Sequence, residues 1–187
     1  DELEVVMRWG FTHMQRDDGG AVYLRLSTRP IEQPQRRLTR EQEADIAAGA
    51  YWLRRPGPNA EAVIAYTGAI APEAIEAVGL LGESRRDIGL LAITSADRLY
   101  AGWTAARRAR RDGNDEASHV ERLLAGLPRD CGVVTVIDGH PATLAWLGSV
   151  HGHRVEALGV DKFGQTGTVD DLYARYGLDA NTIIEAA

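Results

Sequence analysis

Cysteine occurs once in this 187-residue sequence, as Cys131. A lone cysteine excludes an internal disulfide and suits a reducing compartment, which predicts a cytoplasmic protein. Long apolar runs are missing as well, since none approaches the ~20 residues that a transmembrane helix needs. Basic residues are not in excess: 21 Lys and Arg stand against 27 Asp and Glu, for a net charge of −6. This balance argues against nucleic acid or an anionic membrane as a partner.

Complete nucleotide-binding motifs are also missing. Gly159, Gly164 and Gly167 could bring backbone amides close to a phosphate, but their spacing follows neither the P-loop nor the Rossmann pattern. A tight structural turn is the favoured interpretation. With no complete active site in the sequence, an accessory domain is favoured over a self-sufficient enzyme.

The histidines do not complete a catalytic or metal-binding motif. His140 follows a predicted strand and precedes Pro141, so it could serve as a general acid or base, lie at an interface, or only precede a helix. No Gly-x-Ser-x-Gly nucleophile motif accompanies it. His151 and His153 supply two of the three or four ligands that zinc needs. We therefore interpret this segment as the C-terminal turn of a helix rather than as a metal site.

The sequence does contain a regular alternation of predicted strands and helices, with 44% hydrophobic residues. The strands are continuous apolar runs, which are typical of a mostly parallel sheet covered on both faces. The expected fold class is therefore α/β, a three-layer α/β/α arrangement around a mostly parallel five-stranded sheet. Strands are predicted at residues 21–26, 62–67, 88–94, 133–137 and 154–160. Helices are predicted at residues 1–18 and 39–54, and further helices near residues 72, 95, 141, 168 and 179.

Local signals place two helix starts and one linker. Thr39 with Gln42, and Thr168 with Asp171, are spaced as capping boxes. Residues 28–38 are polar and interrupted by proline, which is typical of an interdomain linker. In parallel sheets, functional residues usually lie at the carboxyl ends of the strands. The corresponding segments here are residues 67–68, 94–95, 138–140 and 161–164.

The segment after the last predicted strand has the form Asp-x-Phe-Gly-x-x-Gly, and Tyr-Gly-Leu-Asp follows at residues 176–179. Together with Thr94-Ser95 at a strand end and the long loop after it, this order resembles the C-terminal domain of transketolase-like, thiamine-diphosphate-dependent enzymes. Within that superfamily it is most similar to the homodimeric pyruvate dehydrogenase decarboxylating component.

The resemblance covers essentially the whole chain and divides it into three parts. Residues 1–27 are similar to the end of the preceding pyrimidine-binding domain, as a helix plus a strand. Residues 28–38 are similar to the connection between domains, and residues 39–187 to the transketolase C-terminal-like domain. The chain is thus expected to be a piece of a larger enzyme.

The resemblance implies an oxidoreductase of central carbon metabolism that decarboxylates a 2-oxo acid with thiamine diphosphate and Mg²⁺. Its implied partners are a second copy, the remaining domains of the parent enzyme and a lipoyl acyltransferase component. The Gly-Asp-Gly…Asn motif that holds the metal is absent from this sequence, so the cofactor is not expected on this chain alone. No catalytic residue is expected, His140 being the nearest candidate. The residues assigned to the interface or substrate channel are Asp161, Phe163, Gly164, Gly167 and His140.

Three alternatives remain open at this point. The C-terminal domain of transketolase or of deoxyxylulose-phosphate synthase has the same layout. A stand-alone, flavodoxin-like module would bind a protein or a small anion at the strand ends. A self-contained hydrolase would need a nucleophile near His140.

Overall fold

The computed structural model describes residues 1–32, 36–84 and 87–187. Five strands occur within these residues: β1 (Ala50–Arg54), β2 (Ala62–Thr67), β3 (Gly89–Ile93), β4 (Gly132–Ile137) and β5 (Val155–Leu158). They form one sheet in the order β1-β3-β2-β4-β5. β1 runs antiparallel to β3, and the other neighbouring pairs are parallel. The expected mostly parallel, five-stranded sheet is confirmed.

Helices alternate with these strands along the chain. Their bounds are α1 (Glu2–Met14), α2 (Arg40–Ala48), α3 (Ala71–Ser84), α4 (Ala96–Ala109), α5 (His119–Leu124), α6 (Ala142–Ala145), α7 (Val169–Tyr176) and α8 (Ala180–Ala186). Both predicted capping boxes are present, at the starts of α2 and α7. A further capping box, Ser118 with Glu121, begins α5, a helix that the sequence analysis missed although its Ser-x-x-Glu signal is present. Among the described residues, no helix is both long and apolar enough to span a bilayer.

The sheet separates two apolar cores, as a three-layer arrangement requires. In the central strand β2, Ile64 and Tyr66 enter one core, and Val63 and Ala65 enter the other. Buried residues of α3 and α8 line the first core, whereas those of α4, α5 and α6 line the second. Because both of its faces are covered, β2 has a continuous apolar sequence rather than an alternating one.

Residues 50–54 are a strand, so the prediction of one helix over residues 39–54 was wrong. Gly49 ends α2 with a φ of +116°, and its carbonyl oxygen accepts hydrogen bonds from the amides of Thr94 and Ser95, at 2.9 and 3.0 Å. Tyr51 and Trp52 then enter opposite cores, which the two-residue repeat of a strand allows. Pairing with β3, about 40 residues away in the sequence, decides the conformation of this segment.

The apolar face of α1 is largely exposed. Val5 and Gly10 are the residues that this helix buries. Leu3, Met7 and Met14, which the helical period places on one face, are each at least 38% exposed. The helix predicted over residues 1–18 is present as Glu2–Met14, and most of its apolar stripe is exposed.

Residues 21–26 do not form the predicted strand. They belong to no helix or strand, and Tyr23 and Leu26 are exposed by 87% and 62%. A strand needs a neighbour to accept its backbone hydrogen bonds, and no described strand pairs with this segment. In the predicted linker, residues 33–35 lie outside the described residues, and the described remainder contains neither helix nor strand.

Candidate functional site at the carboxyl edge of the sheet

The carboxyl ends of the parallel strands lie together at one edge of the sheet. Thr67, at the end of β2, is in register with Ile93 of β3 and Ile137 of β4. After β2 the chain enters α3 on one face, and after β4 it enters α6 on the opposite face. The gap between the ends of β2 and β4 is therefore a topological switch point, where open α/β sheets form a crevice.

Asp138 is the charged residue at this switch point. Its carboxylate accepts two hydrogen bonds from the Arg25 guanidinium, at 3.0 and 3.2 Å, and its backbone carbonyl accepts a third at 3.1 Å. This carboxylate raises the pKa of Arg25, so the guanidinium stays charged. Gly68, across the gap, has a φ of +70°, and a Cβ there would lie 3.5 Å from Asp138 Oδ1.

A second arginine–carboxylate pair lies on the β2 side of the gap. Arg29 donates to both oxygens of Glu73, at 2.7 and 3.0 Å, and to the carbonyl of Ala69 at 3.0 Å. Its guanidinium carbon is 5.4 Å from the centre of the Tyr173 ring. Burial and the nearby Glu73 carboxylate raise the pKa of Tyr173, so its hydroxyl is neutral at physiological pH. Among the described residues, the cluster is thus a set of paired charges without an unpaired nucleophile or base at its centre.

The loop after β5 is tied to the loop after β4. The amide of Val160 donates to the carbonyl of Gly139 at 2.8 Å. A Cβ at Gly159 would lie 2.6 Å from that carbonyl oxygen and 2.8 Å from the nitrogen of Pro141. Close backbone approach therefore accounts for glycine at position 159 without a phosphate.

The predicted interface and channel residues occupy the exposed side of this edge. His140 is exposed, and its Nδ1 accepts a hydrogen bond from the Ala142 amide at 3.2 Å, which places the proton of the neutral ring on Nε2. This contact supports the start of α6. The other four residues, Asp161, Phe163, Gly164 and Gly167, lie on an exposed loop in which the Phe163 side chain is fully exposed.

Four of the five members of the cluster, Arg25, Arg29, Glu73 and Tyr173, were not predicted from the sequence. Arg25 and Asp138 are 113 residues apart, and Arg29 and Glu73 are 44 apart. Neither arginine belongs to a helix, strand or motif, so no local signal marks them.

His151 and His153 do not form the beginning of a metal site. Their ring centres are 6.4 Å apart, and the rings contact different carbonyls. His151 Nε2 is 2.9 Å from the Glu121 oxygen, and His153 Nδ1 is 3.1 Å from the Cys131 oxygen. In the part of the chain that the structure describes, no three His, Cys, Asp or Glu side chains are grouped to hold a metal ion.

Comparisons with known proteins agree with this topology, although no family model matches the chain. The whole chain aligns with the plasmid transketolase of Cupriavidus necator at 30% identity over 190 residues. It aligns with transketolase 1 of Aliivibrio fischeri at 24% identity over 187 residues. These alignments cover 24% and 25% of the two proteins. The chain therefore spans about a quarter of the length of the curated relatives it matches.

Solved structures show the same relationship. The transketolase of Leishmania mexicana matches 77% of this chain with a TM-score of 0.52 and 17% identity, over 18% of its own length. The chain has a transketolase-like fold. A split-gene transketolase, solved as an inactive β4 tetramer, matches 74% of this chain with a TM-score of 0.51 and 21% identity, over 41% of its length. At these identities the transketolase structures establish the fold and not the activity.

A transketolase-like fold implies thiamine diphosphate and Mg²⁺, but the residues of this chain do not fit them. The sequence lacks the Gly-Asp-Gly…Asn motif, and the described residues offer no metal-binding group. No step of the cofactor's chemistry is therefore assigned to any residue of this chain.

Proposed function

We propose that this chain serves as the C-terminal domain of a thiamine-diphosphate-dependent enzyme of the transketolase type. The observation that carries the proposal is the alignment of the entire chain with two transketolases, at 24% and 30% identity. The transketolase-like sheet and its helical layers agree with it. In this role the domain supports a dimer and borders the substrate channel, while other domains hold the cofactor and Mg²⁺.

The proposed division is residues 1–27 as the end of a preceding pyrimidine-binding domain, 28–38 as the connection and 39–187 as the C-terminal domain. Two exposed apolar surfaces support it. The outer stripe of α1 comprises Leu3, Met7, Phe11 and Met14, and residues 21–26 expose Tyr23, Leu24 and Leu26. Apolar surface of this kind on a helix and on the segment after it is what a neighbouring domain would cover.

The loop that carries Asp161, Phe163, Gly164 and Gly167, together with His140, is proposed as an interface or channel surface. Full exposure of the Phe163 ring supports this role, because aromatic side chains are enriched in protein interfaces. A second copy of the parent enzyme is the proposed partner, and the cytoplasm is its proposed location. No catalytic function is proposed for His140, whose Nδ1 supports the start of α6.

The relatives described above favour transketolase over the pyruvate dehydrogenase decarboxylating component that the sequence motifs indicated. Both are thiamine-diphosphate-dependent, so the distinction concerns substrate and acceptor. A pyruvate dehydrogenase would be an oxidoreductase that uses a lipoyl acyltransferase partner. The motif Asp-x-Phe-Gly…Tyr-Gly-Leu-Asp, at residues 161–179, is the observation that keeps this second candidate.

Assays of the full-length protein that contains this chain test the proposal. With thiamine diphosphate and Mg²⁺ added, we expect transketolase activity that disappears when the cofactor is withheld. Release of CO₂ from pyruvate, measured in parallel, would favour the pyruvate dehydrogenase candidate. Absence of both activities, together with no cofactor binding, would contradict the proposed function.

A further inference from the structure

Three aromatic side chains form a cluster at the outer side of the second core. Trp146, which follows α6, stacks on Trp103 of α4 with the ring centres 5.3 Å apart, and Tyr100 meets Trp146 edge-on at 5.2 Å. Trp103 is buried, Trp146 is half-buried and Tyr100 is 47% exposed. The indole N–H of Trp146 donates to the Thr143 carbonyl at 3.0 Å, which holds the ring in place. The cluster is therefore a fixed aromatic surface with an exposed rim.

Arginines continue this surface toward the end of α4. Tyr100, Trp103 and Arg107 follow at intervals of three and four residues, so they share one face of the helix. The Arg107 guanidinium carbon is 4.8 Å from the centre of the Trp103 ring. The ion pairs of this stretch belong to Arg110, which leaves Arg107 and Arg111 without a carboxylate partner among the described residues. The name α4 patch is used below for Tyr100, Trp146, Arg107 and Arg111.

The α4 patch has the composition of the centre of a protein interface. Tyrosine, tryptophan and arginine are enriched among the residues that contribute most to binding at interfaces. The two guanidinium groups are positive in a chain whose net charge is −6, so a matching surface needs carboxylates. An exposed aromatic side chain among those carboxylates would pack on Tyr100 and Trp146.

The loop of residues 161–168, here called the Phe163 loop, has these properties. Phe163 is fully exposed. The Tyr176 hydroxyl donates to the Lys162 carbonyl at 2.6 Å, which anchors the backbone next to Phe163. Residues 161–171 contain three aspartates against one lysine, and all three aspartates are exposed. These are Asp161, Asp170 and Asp171. The loop is therefore complementary to the α4 patch in charge and in its protruding aromatic ring.

The Phe163 loop and the α4 patch lie close to each other on the domain. Helix α6, which precedes Trp146, packs against β5, the strand that leads into the loop. At this junction, a Cβ at Gly159 would lie 2.8 Å from the nitrogen of Pro141. A two-fold axis that passes between two neighbouring surfaces brings each one opposite the other surface of the second copy. Such a contact occurs twice in a dimer.

The end of the preceding domain contacts a different side of α4. The guanidinium carbon of Arg98 is 3.8 Å from the centre of the Trp9 ring in α1. Two residues correspond to about 200° of rotation around a helix, so Arg98 and Tyr100 lie on nearly opposite sides of α4. The contact with α1 therefore leaves the α4 patch free.

We propose that the α4 patch binds the Phe163 loop of a second copy of this chain, with Phe163 against Tyr100 and Trp146 and the aspartates facing the arginines. The contact is reciprocal and closes a two-fold dimer. This inference rests on the proposed function, which assigns the loop to an interface with a second copy, and it names the surface that the loop meets there.

Photo-crosslinking of the full-length protein tests the contact. One copy carries photoreactive p-benzoylphenylalanine in place of Phe163 and is co-expressed with a differently tagged copy that retains Phe163. We expect cross-links between the two copies that map to residues 96–111 or 142–149. Tyr100→Ala in the second copy should lower the yield roughly fivefold, because it removes an aromatic anchor. Leu80→Ala, an equally exposed position on α3 across the sheet, is the matched control and should leave the yield unchanged.

Charge reversal tests the ionic part of the contact. Arg107→Glu in the second copy should lower the cross-linking yield roughly threefold, because like charges then face each other. Adding Asp161→Arg to the copy with the photoreactive residue should restore at least half of the lost yield. Arg129→Glu, at an exposed arginine before β4, is the control and should change nothing.

Cross-links that map to other segments, that occur only within one copy, or that do not form would overturn the proposal. Equal yields for the Tyr100→Ala and Leu80→Ala proteins would overturn it as well. Transketolase activity of the wild-type protein separates this result from the proposed function. Activity with cross-links elsewhere rejects the α4 patch alone, whereas cross-links at the patch without activity or cofactor binding reject the proposed function alone.

Discussion

At the scale of single residues, Glu121 is a buried carboxylate that lies away from the candidate site. One of its oxygens accepts from the Ser118 amide at 2.7 Å and from the Ser118 hydroxyl at 2.6 Å, and Arg110 pairs with the other. Burial by itself raises the pKa of Glu121, but the hydrogen bonds from Ser118 and Arg110 outweigh burial and bring the pKa below its ordinary value. The carboxylate therefore stabilises the folded chain while it is ionised.

Glu121→Gln is expected to lower the free energy of unfolding by about 1–3 kcal/mol at neutral pH, because Arg110 loses its buried anion. Since the folded pKa lies below the unfolded one, this stabilisation is complete above the unfolded pKa of about 4.3 and is lost as the pH falls through the folded pKa. Urea unfolding at neutral and acidic pH measures this contribution. The free energies of unfolding of the wild-type and Glu121→Gln proteins should become equal in acid. Glu116→Gln, at an exposed position, is the control. Equal stability of the two variants at neutral pH would contradict the prediction.

His153 is a buried histidine that the fold holds neutral. Its Nδ1 faces the Cys131 carbonyl, and its Nε2 has no partner among the described residues. Burial lowers the pKa of His153, because a second ring proton would have no acceptor. Cys131 is buried too, and its burial raises the pKa of the thiol to about 11. The thiol is therefore unreactive at neutral pH.

A folded pKa below the unfolded one makes protonated His153 favour the unfolded chain. The stability of the protein should therefore fall as the pH drops below the unfolded value of about 6.5, and continue to fall until the folded pKa is passed. His153→Asn, which keeps a donor near the Nδ1 position, should show a smaller fall in urea-unfolding midpoint over this range. His140→Asn, at an exposed position, should retain the full fall. Parallel pH profiles for wild type and His153→Asn would argue against a buried neutral histidine.

At the scale of elements, the sequence predicted starts of helices better than their ends. Hydrogen bonds within four residues form the caps at Thr39 and Thr168, so the local sequence reveals them. The end of α2 depends on Gly49, whose carbonyl binds residues that follow β3. The conformation of residues 50–54 is decided by pairing with β3, and their apolar sequence suits a helix or a strand equally.

Gly49→Ala is expected to lower the free energy of unfolding by about 1–3 kcal/mol, because alanine rarely adopts a positive φ. Its Cβ would also lie 2.9 Å from the Ser95 carbonyl oxygen. The control is Gly79→Ala in the exposed interior of α3, where an added Cβ meets no atom within 4 Å. That substitution should raise stability by up to about 1 kcal/mol. Chemical denaturation measures the free energy of unfolding of both variants. Changes of the same sign and size in the two would contradict this prediction.

At the scale of the whole molecule, the alternation of apolar runs was enough to predict a mostly parallel sheet with its carboxyl ends at one edge. The cluster at that edge could not be predicted, because Arg25 and Asp138 meet only after residues from distant parts of the chain fold together. The helical period of α1 likewise could not show that its apolar stripe would be exposed. A helical period determines which residues share a face, but it does not determine what covers that face.

We propose that this chain works as one domain of a larger, thiamine-diphosphate-dependent assembly. Native mass spectrometry of the assembly that contains it, purified from its source with thiamine diphosphate and Mg²⁺ present, tests this most directly. We expect a species several times heavier than the 20.4 kDa of this chain, with bound cofactor. That species is either one long polypeptide or a pair of chains with the Gly-Asp-Gly…Asn motif on the other chain. A native species built from this chain alone, without cofactor, would contradict it.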